Sequence, residues 1–170
     1  MKISLITPTY NQAEFLPETL ASIEAQRDPD FEHIVLDAMS TDATPEILAD
    51  YASRTGATVV REPDTGQSNA INKGTRLAGG EITGWLNSDD ILCPGALAAI
   101  RAGFEANPDA AVVYGLGSKM DRAGALIRTV PFREFNRRNI KTAYQVVQPA
   151  MYYRRTARHR LQSHTLPGRL

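Results

Sequence analysis

The residues best suited to chemistry in this sequence are Asn87-Ser88-Asp89-Asp90, which directly follow the apolar stretch at residues 82–86. Adjacent carboxylates repel each other, so a cation beside them would lower their energy. A buried strand that ends in polar side chains is typical of a sheet edge where ligands bind. The plainer alternative is a solvated loop before a helix near Pro94, because Asp is common before helices. The other motifs favour a divalent-metal site.

These residues must be positioned by a larger framework of alternating strands and helices. Thr44 and Pro45 predict a helix start with Thr44 as N-cap, and a hairpin is predicted around residues 121–124. Strands that alternate with helices predict an α/β fold with a mostly parallel central sheet flanked by helices. The strands are predicted at residues 2–7, 31–36, 57–61, 82–86 and 110–114, and three further helices at about residues 13–26, 67–78 and 94–105.

The carboxyl ends of parallel strands meet at one edge of a sheet, where ligands bind in such folds. Tyr10 follows the first strand and Asp37 ends the second. An aromatic ring can stack on a base, and Asp37 can accept from a base N–H or a ribose hydroxyl. Asp89 and Asp90 can reach the ribose and a Mg²⁺ or Mn²⁺ ion that bridges two phosphates. No glycine-rich phosphate motif occurs, which argues against NAD-dependent enzymes and ATPases.

From residue 3 to about residue 153, the sequence resembles the family 2 glycosyltransferases in four blocks that occur in order. The resemblance implies the GT-A fold, a Rossmann-like sandwich of nucleotide-diphospho-sugar transferases. The blocks are Thr7-Pro8-Thr9-Tyr10-Asn11, Asp37-x-x-Ser40-Thr41-Asp42, Glu62-Pro63-Asp64-x-Gly66-Gln67-Ser68-x-Ala70-Ile71-Asn72-Lys73-Gly74 and Gly80-Glu81-Ile82-x-Gly84-Trp85-Leu86-Asn87-Ser88-Asp89-Asp90.

The resemblance implies roles for seven residues. Pro8, Tyr10 and Asp37 are expected to form the base pocket, with Asp37 recognising the imide of the base. The other four are Asp64 and Lys73 near the base and diphosphate, Asp89 near the ribose and metal, and Asp90 as the ligand of Mn²⁺ or Mg²⁺.

The implied reaction moves a sugar, with inversion, from a nucleotide diphosphate to a hydroxyl acceptor on a glycan or lipid-linked molecule. The implied donor is a UDP-sugar, although related families also use thymidine and guanosine donors.

The sequence departs from the family pattern after Asp37, where Ala38, Met39 and Ala43 stand at positions that are commonly glycine. Side chains there restrict positive φ angles and close backbone approach, so we expect a reshaped base pocket. Elsewhere, Gly74 and Asn72 are expected to serve helix packing, and Trp85 is expected in the core.

A second departure concerns the general base, which in the family follows the segment matched by Gln148-Pro149-Ala150. No acidic residue occurs after Glu134, so the catalytic residue is unknown. His159 and His164 lie in a patternless tail and are expected to be solvent-exposed. Two hypotheses stay open: a metal-dependent transferase, and a donor-binding remnant that lacks the base. A metal-dependent nucleotidyltransferase is a weaker third, because residues 8–11 contain no basic phosphate loop.

Composition predicts one globular domain at residues 1–153 and a basic tail at 154–170, with 42% hydrophobic and 22% charged residues overall. The formal net charge of zero divides into −8 for residues 1–134 (11 Lys and Arg against 19 Asp and Glu) and +8 for residues 135–170. A truncated or frame-shifted end explains this split most simply. The alternative is peripheral contact with an anionic membrane.

No nucleic-acid partner is expected. The absence of any membrane span or signal peptide predicts a cytoplasmic location, either free or at the inner membrane face. The single cysteine, Cys93, excludes an internal disulfide and is predicted to be a small core residue.

Overall fold

A computed structural model describes residues 1–130 and 147–157 of the 170-residue chain. Four helices and eight strands occur within these residues, together with one 3₁₀ turn at Gln148–Ala150. In chain order they are β1 (Ile3–Thr9), α1 (Leu16–Glu24), β2 (Phe31–Asp37), α2 (Thr44–Thr55), β3 (Thr58–Arg61), α3 (Gln67–Leu77), β4 (Ile82–Trp85), α4 (Ala96–Ala106), β5 (Val112–Tyr114), β6 (Gly117–Met120), β7 (Leu126–Val130) and β8 (Met151–Arg154).

Six of these strands form a central sheet with the order β3-β2-β1-β4-β8-β5. Strand β1 pairs in parallel with β2 and β4, and β2 pairs in parallel with β3. Strand β8 pairs antiparallel with both β4 and β5, so β5 runs in the direction of the other four. The predicted α/β class with a mostly parallel sheet is confirmed. Strand β8 was not predicted.

Side chains on successive residues of β1 point to opposite faces of the sheet, because a strand has a period of two. Ile3 and Leu5 join a core with Leu97 and Phe104 of α4, whereas Ile6 joins a separate core with Ala70 of α3. A third core joins α1 and α2 to β2. Helices α1, α2 and α4 therefore cover one face, and α3 covers the other.

Helix α3 lies unusually close to the sheet at Gly74. A Cβ atom there would lie 2.6 Å from the Ile6 Cγ2 atom and 2.8 Å from the Leu36 Cδ2 atom. The expected packing role of Gly74 is thus confirmed. Trp85 packs against the same core, also as expected.

Three local predictions were wrong. Strand β1 does not end at Thr7 but continues through Pro8, which lies opposite Leu36 and needs no N–H there. Thr44 is not the N-cap of α2: Ala43 holds that position, and the Thr44 hydroxyl accepts a hydrogen bond from the Gln12 backbone N–H at 3.0 Å. Cys93 is exposed. It sits in the loop before α4, where an apolar side chain need not turn inward.

The predicted hairpin is present as β6 and β7, which pair antiparallel. At the other end of the described chain, Arg154 is the last residue of β8. Its side chain donates to the backbone carbonyls of Ala110 and Phe104 at 3.0 and 3.1 Å. The first residue of the predicted basic tail therefore belongs to the sheet. The tail after residue 157, which includes His159 and His164, lies outside the described residues.

No helix in the described ranges is long and apolar enough to cross a membrane.

Candidate functional site

A cavity of about 620 Å³ lies where β1, β4 and the start of α3 present their polar ends. This volume is within the range of small-molecule sites. Its walls come from four separate parts of the chain, as the parallel topology requires. The residues that line the cavity are Pro8, Thr9, Tyr10, Gln12, Ala38, Pro63, Asp64, Gly66, Gln67, Asn87, Ser88 and Asp89.

Four of the seven predicted site residues line this cavity: Pro8, Tyr10, Asp64 and Asp89. Tyr10 is 57% exposed at the rim, so its ring is free to stack on a ligand. The Asp64 carboxylate accepts a hydrogen bond from the Gly66 backbone N–H at 2.8 Å, which fixes the turn before α3. Residues that are distant in sequence therefore meet at one edge of the sheet.

The loop that carries Tyr10 is held by the loop after β2. The Asn11 backbone N–H donates to the Ser40 hydroxyl at 2.9 Å, and the Asn11 side-chain oxygen accepts from the Thr41 N–H at 2.8 Å. The Ala13 N–H donates to the Asp42 carboxylate at 3.0 Å. Because these bonds tie the two loops together, the rim of the cavity has a defined shape before any ligand binds.

Met39 lies in this second loop with a φ of 64°, in the left-handed region that favours glycine. A side chain at this position was predicted to restrict positive φ angles, yet the Met39 backbone adopts one. Its neighbours explain this: the Ala38 N–H donates to the Thr9 carbonyl at 3.0 Å, and Ser40 is bonded to Asn11. The bonds on both sides of Met39 hold the strained backbone in place.

Asp37 does not line the cavity and is only 1% exposed. One carboxylate oxygen accepts from the Ser40 N–H at 3.1 Å and from the Ser40 hydroxyl, and the other accepts from Arg61 Nε at 3.1 Å. Arg61 also donates to the Ser40 carbonyl at 2.8 Å. The carboxylate thus lies behind Ala38 and fixes the loop that forms the wall.

Lys73 also lies behind the wall. Its ammonium group donates to the Pro63 carbonyl at 2.8 Å and pairs with the Glu62 carboxylate at 2.8 Å. Both contacts hold the segment that leads to Asp64. In this structure, Lys73 positions the loop and its charge is paired.

Asp89 and Asp90 differ in exposure, since Asp89 is exposed and Asp90 is half-buried. Burial raises the pKa of the Asp90 carboxyl above its ordinary value, and the charge of Asp89 raises it further. The Asn87 side-chain N–H donates to Asp90 at 3.1 Å and partly offsets this effect. Asp90 is therefore a carboxylate whose negative charge a nearby cation would stabilise.

The donor set fits Mg²⁺ or Mn²⁺, which bind hard oxygen ligands and keep several waters. The described residues contain no group of three or more His, Cys, Asp or Glu side chains able to hold a metal. Asp89 and Asp90 would therefore hold the ion together with water and phosphate oxygens. That arrangement suits a metal bound along with a diphosphate rather than in a closed protein cage.

Thr9 and Gln67 also line the cavity, although neither was a predicted site residue. Thr9 is 5% exposed, and its hydroxyl has no hydrogen-bond partner in the described part of the chain. The Gln67 side chain donates to the Asn87 side-chain oxygen at 2.7 Å. Their positions inside matched blocks were the only available signal, because hydroxyl and amide side chains have no spacing signature of their own.

Comparison with known proteins now decides the family. The sequence model of the protein family described as Glycosyl transferase family 2 matches residues 4–161. The chain belongs to this family. The chain is similar to the O-antigen biosynthesis protein RfbC of Myxococcus xanthus, with 35% identity over 136 residues. A PGL/p-HBAD biosynthesis glycosyltransferase of Mycobacterium bovis is 32% identical over 158 residues.

Solved structures share the GT-A fold expected for family 2. Residues 1–349 of TarS from S. aureus, in complex with UDP-GlcNAc, match with a TM-score of 0.77 and 27% identity over 95% of this chain. The mannosyltransferase PcManGT from Pyrobaculum calidifontis, in complex with GDP-Man and Mn²⁺, matches with a TM-score of 0.70 and 24% identity over 94% of this chain.

The chain spans only part of these proteins. It covers 10% of the RfbC protein and 59% of the mycobacterial glycosyltransferase, although 76% and 89% of this chain are aligned. It covers 48% of the TarS chain.

Proposed function

We propose that this chain binds a nucleotide-diphospho-sugar, with a UDP-sugar as the first choice, and transfers the sugar to a hydroxyl acceptor. The observation that carries this proposal is one cavity lined by Tyr10, Asp64 and Asp89, with Asp90 beside it. An exposed ring for a base and acidic groups for a ribose and a metal-bound diphosphate lie within one volume. The TarS fragment, which is 27% identical, was solved with UDP-GlcNAc and with UDP.

Within this proposal, Pro8 and Tyr10 hold the base and Asp89 contacts the ribose and the metal. Asp90 holds Mn²⁺ or Mg²⁺. When bound, the ion supplies positive charge to the departing diphosphate. Asp37 and Lys73 act from behind the wall, since their side chains fix the loops that carry Ala38 and Asp64. A direct contact of Asp37 with the base would require the Arg61 and Ser40 bonds to rearrange.

The proposed transfer proceeds with inversion, which needs a base to remove the proton of the acceptor hydroxyl. Asp64 and Asp89 are the only acidic residues in the described cavity wall. One is engaged by Gly66 and the other adjoins the metal position. A donor-binding protein without turnover is therefore the second candidate function.

The acceptor is proposed to be a cell-envelope glycan or lipid-linked molecule. This choice follows the relatives, which are named for O-antigen and PGL/p-HBAD biosynthesis. Contact with an anionic membrane stays a prediction. In the described part of the predicted tail, the Arg154 side chain donates to carbonyls of Phe104 in α4 and of Ala110 just before β5, and Arg155 donates to the Ala78 carbonyl at 3.5 Å.

The test is a calorimetric titration of UDP, GDP and dTDP into the chain with saturating Mn²⁺, followed by an assay for UDP release from UDP-sugars. We expect UDP to bind most tightly. UDP release that rises with added hydroxyl acceptors would support transfer, and UDP binding without release would support the second candidate. Failure of all three nucleotides to bind would contradict both.

A further inference from the structure

Four polar side chains form a connected chain of hydrogen bonds at the edge of the cavity. Gln67 donates to the Asn87 side-chain oxygen at 2.7 Å, and the Asn87 side-chain nitrogen donates to Asp90 at 3.1 Å. The same nitrogen donates to the Gln148 side-chain oxygen at 3.2 Å. Gln148 in turn donates to the Trp85 backbone carbonyl at 2.8 Å. The chain thus links α3, the end of β4 and the turn before β8.

The hydrogen-bond partners determine where the oxygen and the nitrogen of each side-chain amide lie. The Trp85 carbonyl can only accept, so the Gln148 nitrogen must face it and the Gln148 oxygen must face Asn87. The Asp90 carboxylate also accepts, and the Asn87 nitrogen therefore lies between two acceptors. Both of its N–H groups are used, and the Asn87 oxygen is left for Gln67. No amide in this network can flip without losing a bond.

We infer that Gln148 is a positioning residue, which fixes the Asn87 amide and through it the orientation of the Asp90 carboxylate toward a metal-bound diphosphate. This inference rests on the proposed function. Gln148 does not line the cavity, so its effect must pass through Asn87, which does. Partners behind a metal ligand hold that ligand in a productive orientation, and their loss weakens metal binding.

The position of Gln148 in the fold gives this network a second consequence. The turn at Gln148–Ala150 leads directly into β8, which fills the gap between β4 and β5. The Asp90 carboxylate is therefore set by a segment that follows it by more than fifty residues. The orientation of the Asp90 carboxylate therefore depends on correct docking of β8 in the sheet.

The test compares Gln148→Met with Gln26→Met as a matched control. Gln26 also bridges two segments, since its side chain donates to the Ser22 and Cys93 carbonyls at 3.0 and 3.1 Å. Unlike Gln148, it has no bond to Asn87, and neither carbonyl belongs to a residue that lines the cavity. Mn²⁺ affinity is measured by electron paramagnetic resonance of free Mn²⁺ at saturating UDP, and UDP affinity without metal by calorimetry. Thermal unfolding reports stability for each variant.

We expect Gln148→Met to weaken Mn²⁺ binding by about tenfold and to leave metal-free UDP affinity unchanged. Gln26→Met should change neither affinity, whatever its cost in stability. Asn87→Ala and the double variant Asn87→Ala/Gln148→Met should weaken Mn²⁺ binding equally, because Gln148 acts only through Asn87. Gln148→Asn, whose shorter side chain cannot span both partners, should behave like Gln148→Met and serves if the latter does not fold.

Folded Gln148 variants with unchanged Mn²⁺ affinity would overturn the inference. Additive losses in the double variant would do the same, since they would show that Gln148 acts independently of Asn87. Wild-type protein that binds UDP and Mn²⁺ normally in such an experiment would leave the proposed function intact. Wild-type protein that binds neither would overturn both.

Discussion

Within the cavity wall, Thr9 differs from its neighbours because its hydroxyl is buried and has no partner among the described residues. Most buried polar groups in proteins are hydrogen-bonded, so an exception in a cavity wall calls for an explanation, and we take a ligand contact as the hypothesis to test. Asp37 shows the opposite arrangement, with both carboxylate oxygens bonded to Ser40 or Arg61. The polar residues around the cavity therefore differ: some have no protein partner, and others are bonded to neighbours that form the cavity wall.

The isosteric change Thr9→Val tests this division. We expect UDP affinity to fall about 2- to 10-fold, the equivalent of one neutral hydrogen bond, without loss of thermal stability. Thr83→Val is the matched control, since the Thr83 hydroxyl is also buried and unpartnered within the described ranges but does not line the cavity. Calorimetry and thermal unfolding on both variants provide the measurement. Equal UDP affinity for Thr9→Val and wild type would refute a ligand contact.

The position of some site residues could be predicted from the sequence, whereas that of others could not. Tyr10, Asp64 and Asp89 line one cavity, as expected from strand ends and matched motifs that indicate a shared edge, while their roles stay predictions. The inward turn of Asp37 was beyond sequence reasoning, since it depends on Arg61 arriving from β3. A carboxylate at a strand end has the same local pattern whether it faces a ligand or a neighbouring arginine.

At the scale of elements, β1 and β2 carry the cavity on their C-terminal ends and a buried histidine in their interior. His33 is 4% exposed. Its Nδ1 atom lies 3.0 Å from the Tyr51 hydroxyl and its Nε2 atom lies 2.9 Å from the Thr7 hydroxyl. Thr7 is two residues before Thr9 on β1. The histidine therefore joins β1, β2 and α2 beneath the cavity.

Burial lowers the pKa of His33 from 6.5 to about 3. Between these values the unfolded chain binds more protons than the folded one, so stability rises with pH through this window. The contribution is complete above about pH 6.5 and is lost as the pH falls toward 3. We predict that the unfolding free energy of wild type falls between pH 6 and 4 by up to roughly 1.4 kcal/mol per unit more than that of His33→Gln.

Urea unfolding at several pH values checks this prediction. The difference between the two proteins isolates His33, because the carboxylates titrate in both. Parallel pH profiles for wild type and His33→Gln would show that His33 does not remain neutral in the folded state.

The helices were predictable from their apolar period, and the parallel strands from short apolar runs rich in β-branched residues. Strand β8 was missed for a physical reason. Met151–Arg154 pairs with β4 and β5, and both of these strands come from far earlier in the chain. The end of β1 was misplaced because Pro8 suggested a stop, whereas its missing N–H is tolerated at that position.

At the scale of the whole molecule, β8 joins β5 to the rest of the sheet. Tyr152 is fully buried in this strand and packs over Gly84, where a Cβ atom would lie 2.4 Å from its ring. Its hydroxyl has no partner within residues 1–130 and 147–157, and burial raises its pKa above the ordinary value. The ring, rather than the hydroxyl, therefore supplies the stabilising contact.

We predict that Tyr152→Ala lowers the free energy of unfolding by about 3–5 kcal/mol, because it leaves a large cavity in the core. Tyr152→Phe should be neutral or stabilising, since it removes only an unpartnered buried hydroxyl. Denaturant unfolding of both variants gives the comparison. A clear loss of stability in Tyr152→Phe would mean that the hydroxyl is hydrogen-bonded in the folded protein.

Calorimetric titration of UDP with and without Mn²⁺ tests whether Asp89 and Asp90 form a metal-dependent nucleotide site. Wild type is compared with Asp90→Asn, which keeps the side-chain shape but removes the charge. Asp109→Asn, an exposed position outside the cavity, is the control. We predict that Mn²⁺ strengthens UDP binding about tenfold or more in wild type and the control, and not in Asp90→Asn. UDP affinity that does not change with Mn²⁺ in wild type, or a full Mn²⁺ effect in Asp90→Asn, would show that Asp90 does not hold a metal beside the nucleotide.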